Sequence, residues 1–266
     1  MSKRSIKRLV PIIVLIVVAI IAIGHYDQKT TAASGVPATA TTVKPTTWAI
    51  SPSPAGANAA AVPAVSQAAA DAFNKDPWVA KLSGIGVQFV TADDSKTVLG
   101  IETPPAAGAC HLDYRTIVDL NPKKNGRKIT AAMPPKSCAP GAIDVPRMAN
   151  ALLAKKRCVN TAGYRPSSYQ TNKYKVIMFA AEEPRVTADS SLVELDHNAP
   201  LELCGATAAR NLWNEPPTSA DQVGTLNGKD YVENHLATLV EHGNISVSQA
   251  SYLLLNDWTT ALVGLP

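Results

Sequence analysis

Asp196 and His197 stand side by side where a short alternating run, Ser191 to Leu195, reaches its end. Neighbours on an extended strand point to opposite faces, so the carboxylate and the imidazole can do different work. A neutral imidazole can take a proton from water near pH 7, and a carboxylate can hold a hard cation such as Mg²⁺. The elements that must position the pair follow in order. Asn198-Ala199-Pro200 turns the chain, Leu201–Leu203 with Gly205 forms a second turn region, and Asn211-Leu212-Trp213 opens a strand that stops at Pro216-Pro217. After a polar linker from Thr218 to Gly228, Lys229 to His242 places Val232, Leu236, Leu239 and Val240 at helical spacing and ends at Gly243, a natural cap. A last helix starts at Ser246, forms a capping box with Gln249, and turns Ala250, Leu253, Leu254 and Trp258 inward. Trp213 and Trp258 are expected in the core, His242 as a partner of the helix dipole, and Glu182, Glu183 and Arg185 in a solvated turn.

Upstream, Ile85 to Thr91 and Thr97 to Ile101 flank the turn-like Ala92-Asp93-Asp94-Ser95 and predict a hairpin. Tyr114 to Leu120 and Ile129 to Met133 supply further strands. Pro146 to Lys156 reads as a helix capped by Asp144, with Met148, Leu152 and Leu153 on one face. His111 and Asp113 are expected at the surface, because nothing nearby completes a metal set. Residues 71–157 are therefore expected to form a small β-rich domain with a helix, stapled by cysteine, ahead of a second domain over 158–266.

The cysteines Cys110, Cys138, Cys158 and Cys204 include no close CxxC pair, which argues against a zinc ribbon and for disulfides in an oxidising compartment. Of the three possible pairings, Cys110 with Cys138 and Cys158 with Cys204 is the one expected, on the ground that it keeps each bridge within one subdomain. Lys3, Arg4, Lys7 and Arg8 precede an apolar run from Leu9 to Ile23. That pattern predicts a cytoplasmic tip and a membrane anchor over residues 1–29, or else a cleaved signal peptide, with the rest outside the cytoplasm either anchored or secreted. Residues 30–70, rich in Ala, Thr and Pro, are expected to be a disordered linker, since they offer too little apolar surface to offset ordering entropy. The formal net charge of +4 lies partly in the N-terminal tip and makes no case for nucleic acid by itself. The clusters Lys123, Lys124, Arg127, Lys128 and Lys155, Lys156, Arg157 read as solvated surface.

Three segments taken together carry a resemblance. They are Asp196-His197-xx-Pro200-Leu201-Glu202-Leu203-x-Gly205, then Arg210-Asn211-Leu212-Trp213-Asn214-Glu215-Pro216, then Lys229-Asp230-xx-Glu233-Asn234. They resemble the HNH (ββα-metal) nucleases, and especially a bacterial exported HNH-like family. The run Arg165-Pro166-Ser167-Ser168-Tyr169-Gln170-Thr171-Asn172-Lys173-Tyr174-Lys175 looks like that family's opening segment, and the likeness covers about Cys158 to Leu262. The family usually carries a glycine pair after Leu-Glu-Leu and a cysteine where Glu241 stands; here Cys204-Gly205 replaces the first and the second is missing. A Cys158–Cys204 bridge would compensate.

The expected fold class is α+β: an N-terminal transmembrane helix, a disordered linker and a small β-rich Cys-stapled unit read from the residues, then a C-terminal ββα-metal (HNH-like) domain that the resemblance implies. The resemblance also implies one divalent cation, Mg²⁺ first and Zn²⁺, Mn²⁺ or Ni²⁺ as alternatives. Asp196 would be a metal ligand and His197 the general base, with Asn211 tying the loop. Asn234, Glu233 or His235 would complete the metal site from the helix, and Arg165, Lys173, Lys175 and Arg210 would hold phosphates. The expected function is a membrane-anchored extracytoplasmic nuclease acting on DNA or RNA. The alternative is a non-catalytic envelope binding protein that keeps the scaffold.

Overall fold

Short polar side chains punctuate the first helices described. The computed structural model describes residues 65–91, 105–124, 126–159, 161–183, 189–218 and 227–266. Ser66 accepts from the Ala69 N–H at 3.2 Å and so caps α1 (Gln67–Lys75). Asp76 then caps α2 (Pro77–Gly84) by accepting from the N–H groups of Trp78 and Val79 at 2.9 and 3.1 Å. Pro77 suits that first position because its missing N–H is one the helix would leave unpaired.

Among the described residues the strands come in four separate pairs. β1 (Gln88–Val90) runs parallel to β5 (Ala142–Asp144), and β2 (Cys110–His111) runs parallel to β6 (Glu182–Glu183). β3 (Asp113–Val118) and β4 (Lys128–Met133) are antiparallel, as are β7 (Glu194–His197) and β8 (Leu212–Glu215). The helices α3 (Val145–Ala154), α4 (Ser168–Ala181), α5 (Gly228–Glu241) and α6 (Val247–Asp257) alternate with them. Asp144 caps α3 through the Arg147 N–H at 3.0 Å, and the helix stops where Lys155 turns left-handed at φ 54°. Leu153 is exposed rather than inward. Five positions from Met148, it lies well around the helix from the buried face of Met148, Ala149 and Ala151.

One hydrophobic core runs through most of these elements. Ala69, Ala70 and Phe73 of α1 pack with Ile143, with Met148 of α3, with Leu203, with Val232 and Leu236 of α5, and with Leu254 and Trp258. This overturns the expected fold class. A small β-rich unit followed by a ββα-metal domain does not describe a chain whose core is continuous from Val65 to Ala261 and whose strand pair β2–β6 joins the two halves. The fold is a mixed arrangement of helices and strand pairs. Among the described residues no helix is long and apolar enough to cross a membrane. The expected anchor over Leu9 to Ile23 and most of the expected linker lie outside the described residues. So does Thr97 to Ile101, the second arm of the expected hairpin; β1 is paired with β5 instead.

Two disulfides hold the fold, Cys110–Cys138 and Cys158–Cys204. The first ties β2 to the turn after β4. The second ties the segment after α3 to the loop between β7 and β8, beside a bond from the Cys158 N–H to the Glu202 carbonyl at 2.9 Å.

Candidate functional site

In the β7–β8 hairpin Glu194 stands opposite Glu215, Leu195 opposite Asn214, Asp196 opposite Trp213 and His197 opposite Leu212. Opposite residues in an antiparallel pair share a face, and faces alternate along each strand. Glu194, Asp196, Trp213 and Glu215 therefore project to one side, and Leu195, His197, Leu212 and Asn214 to the other. The capping box of Asn227 with Asp230 fixes the first turn of α5 and sets Lys229 and Glu233, four residues apart, against the acidic side.

Lys229 is 1 % exposed. Its Nζ donates to Asp196 Oδ2 at 2.5 Å, to the His197 carbonyl at 3.1 Å and to Glu233 Oε1. Burial alone would push the ammonium towards neutrality, but Asp196, Glu233 and Glu215 around it hold its pKa well above the ordinary value. Asp196 is likewise pushed up by burial, and the Lys229 charge with hydrogen bonds from Glu215 and Lys229 more than reverses that, so it stays ionised. Glu215 and Glu233 are driven well above the carboxylate range, first by burial and, for Glu215, next by the Asp196 charge. Ionised, Glu215 leaves both buried oxygens without a partner. Protonated, it can donate to Asp196, because two carboxylates bond only when one of them carries a proton.

His197 belongs to the opposite side. The Thr207 hydroxyl spends its single proton on the Tyr164 carbonyl, so it can only accept from His197 Nε2, 3.1 Å away. The ring proton is thus on Nε2, and Nδ1 carries the free lone pair. Burial lowers the imidazole pKa to about 4; Asp196 opposes the shift, while Arg165, Lys229 and Arg147 add to it. The imidazole is neutral at pH 7.

The long loop between the strands is pinned from several directions. Asn211 is fully buried; its Oδ1 accepts from the N–H groups of Ala142 and Ala199, and its Nδ2 donates to the carbonyls of Ala199 and Ala206. Arg147 reaches in from α3 to donate to the Gly205 and Leu201 carbonyls at 3.2 and 2.8 Å, with its guanidinium 4.1 Å from the Tyr164 ring centre.

Of the expected metal-site residues, Asp196 and Glu233 meet at Lys229, whereas Asn234 and His235 do not join them. Asn234 is exposed and donates to the Asp230 carbonyl one turn back, and His235 stacks on Tyr231. Arg165, Lys173 and Arg210 are exposed, and Lys175 donates to the Val193 carbonyl at 2.8 Å. Lys229, Glu215 and Glu194 had no assigned role in the sequence. The signals were the four-residue spacing of Lys229 and Glu233 and the two-residue spacing of Glu194 and Asp196.

Glu182 also departs from expectation. It is buried rather than solvated and accepts from the Asn214 N–H at 2.9 Å. Burial raises it to about 7, against the hydrogen bonds of Asn214, and raises Glu194 to about 8 with help from Asp196 and Asp230. A raised carboxyl binds a proton more tightly folded than unfolded, so its stabilising contribution is full below the unfolded value of about 4.3 and is lost as pH climbs through the folded one. Stability should therefore fall between pH 5 and pH 8 by roughly the worth of these groups, and Glu182→Gln should recover about 2 kcal/mol at pH 8 while changing little at pH 5. Urea unfolding at the two pH values measures this.

No protein-family model, curated protein or solved structure matches the chain.

Proposed function

We propose that this protein hydrolyses phosphodiester bonds of DNA or RNA outside the cytoplasm, with one divalent cation at the carboxylate side of the β7–β8 hairpin and His197 as the base. The observation that carries the reading is an excess of buried acidic side chains on one side of the hairpin, with a neutral imidazole next along the strand on the other. Asp196, Glu215 and Glu233 crowd the ammonium of Lys229, which bonds Asp196 and Glu233 and leaves Glu215 unbonded to it. Such oxygen donors suit a hard cation, Mg²⁺ first, with Mn²⁺, Zn²⁺ or Ni²⁺ as alternatives. Among the described residues no three His, Cys, Asp or Glu side chains are already arranged as ligands. The fit is one of charge and donor type, and Asp196, Glu215 and Glu233 are the residues that would hold the ion.

Asp196, Glu215 and Glu233 would hold the cation where it would stabilise the charge that develops on the leaving oxygen. His197 Nδ1 takes the proton from the attacking water, and the bond from Nε2 to Thr207 keeps the ring in the required tautomer. Arg165, whose charge reaches both His197 and Glu194, holds a flanking phosphate. Asn211 acts at a distance by fixing the loop that aims the hairpin. The disulfides support an oxidising, extracytoplasmic location.

The seat of Lys229 among the carboxylates favours a second reading, a binding module in which an internal ammonium replaces the cation. Incubating the full chain with single-stranded DNA, duplex DNA and RNA separates the two. The hydrolytic reading expects cleavage with at least one of Mg²⁺, Mn²⁺, Zn²⁺ or Ni²⁺, abolished by EDTA. No cleavage with any of the four overturns it in favour of the binding module.

A further inference from the structure

Resting on the hydrolytic reading, we infer that the exposed side of α4 is a track for single-stranded nucleic acid, on which Tyr169 stacks against an unpaired base and Lys173 contacts a phosphate. Tyr169 is 77 % exposed and Val176 65 %. Together with exposed Lys173 they fall at positions i, i+4 and i+7, one stripe of the helix. The opposite side of α4 is the packed one, where Tyr174 and Met178 join Leu195 and Leu212 of the hairpin. The stripe is thus held on a seated helix whose first turn is fixed by the capping box of Ser167 and Gln170.

Charge selects the occupant. From Cys158 to Ala181 the chain contains Arg165, Lys173 and Lys175 and no Asp or Glu. A helix that pairs an exposed ring with a lysine and carries no carboxylate of its own is complementary to a phosphate backbone with exposed bases. Position links the stripe to the chemistry. The Tyr164 carbonyl accepts from Thr207, the hydroxyl that meets His197, and Arg165 follows it directly. A strand lying along Lys173 and Tyr169 would therefore be delivered to the imidazole past Arg165. Bases inside a duplex are already stacked and offer no free face to a side chain, so the surface selects single strands.

Binding is measured on the His197→Ala chain, so that it is read apart from cutting. The probes are a fluorescein-labelled oligothymidylate of about 12 nucleotides, the corresponding duplex, and vesicles of anionic phospholipid. Tyr169→Ala should weaken oligothymidylate binding about tenfold while Tyr169→Phe binds like its parent, because the ring rather than the hydroxyl does the stacking. Lys173→Gln should weaken binding and flatten its salt dependence. Binding unchanged by Tyr169→Ala, or lost equally for the duplex or the vesicles, overturns the inference. Tyr169-dependent binding by a chain whose wild type cuts nothing leaves the track standing and sinks the hydrolytic reading alone.

Discussion

Replacing Lys229 with methionine should destabilise the fold by about 3 to 5 kcal/mol near neutral pH, the usual cost of removing one partner from a buried ion pair. The ammonium donates to Asp196, Glu233 and the His197 carbonyl, and it alone offsets the Asp196 charge from within α5. Methionine fills much of the volume but brings no charge. Asp196 would then lose the partner that keeps it ionised and would be raised as its neighbours already are. The sign of the pH dependence follows. A folded state whose carboxylates hold protons above the unfolded value is most favoured in acid, so the deficit of the variant should shrink as pH is lowered to about 4.5 and grow as pH rises. Urea unfolding of parent and variant at pH 4.5 and 7.5 tests both parts. Equal midpoints at both pH values would mean that the ammonium does not hold the cluster together.

A single added methyl group should do comparable damage at Gly205. A Cβ there would lie 1.7 Å from the Ala199 carbonyl oxygen and 2.9 Å from that of Pro200. These are backbone atoms with no room to retreat: Ala199 is tied to Asn211 through both N–H and carbonyl, and the Gly205 N–H donates to the Pro200 carbonyl at 2.8 Å. Gly205→Ala must break that ring of bonds or displace the loop that follows His197, at a cost of about 4 kcal/mol or more. Gly228→Ala is the control. Its Cβ would meet the Ile129 Cδ1 at 3.2 Å and the Trp258 ring at 3.4 Å, side-chain rather than backbone atoms, and alanine is the better helix former. Thermal unfolding should show a large loss at Gly205 and a change within about 1 kcal/mol at Gly228. Similar midpoints for the two variants would contradict the described packing of the loop.

What could be read in advance was the local grammar. Asp144 as a cap, Gly243 as a stop at φ 74°, the buried stripe Val232, Leu236, Leu239 and Val240, and the strand that ends at Asp196-His197 all follow from spacing and from short polar or glycine punctuation. α1 escaped notice because its buried side is largely alanine, and Ala69 and Ala70 carry little hydrophobic signal inside an Ala-rich run. α4 was hidden by a polar first half, although Tyr174, Met178 and Ala181 keep helical spacing. The parallel pairs β1–β5 and β2–β6 are two or three residues long and join distant segments, so no local pattern announces them. The first lies in the main core, and the second belongs to a separate cluster in which Cys110 meets Tyr174, Met178, Leu195 and Leu212.

The site was legible as far as its residue types reached. Asp196, His197 and Asn211 stood out, but a lysine is ordinarily read as solvated, and nothing in the sequence shows that Lys229 is sealed between two carboxylates. Glu182 misled in the same way. An acidic pair after a helix looks like a solvated turn, and only the neighbouring strand, with its unclaimed Asn214 N–H, explains the burial.

The most direct test is the initial rate of cation-dependent phosphodiester hydrolysis by the full chain at neutral pH, compared with His197→Ala at the same folded concentration. With His197 as the base, the variant should be slower by about 100-fold or more. Equal rates in the two chains would place the chemistry elsewhere.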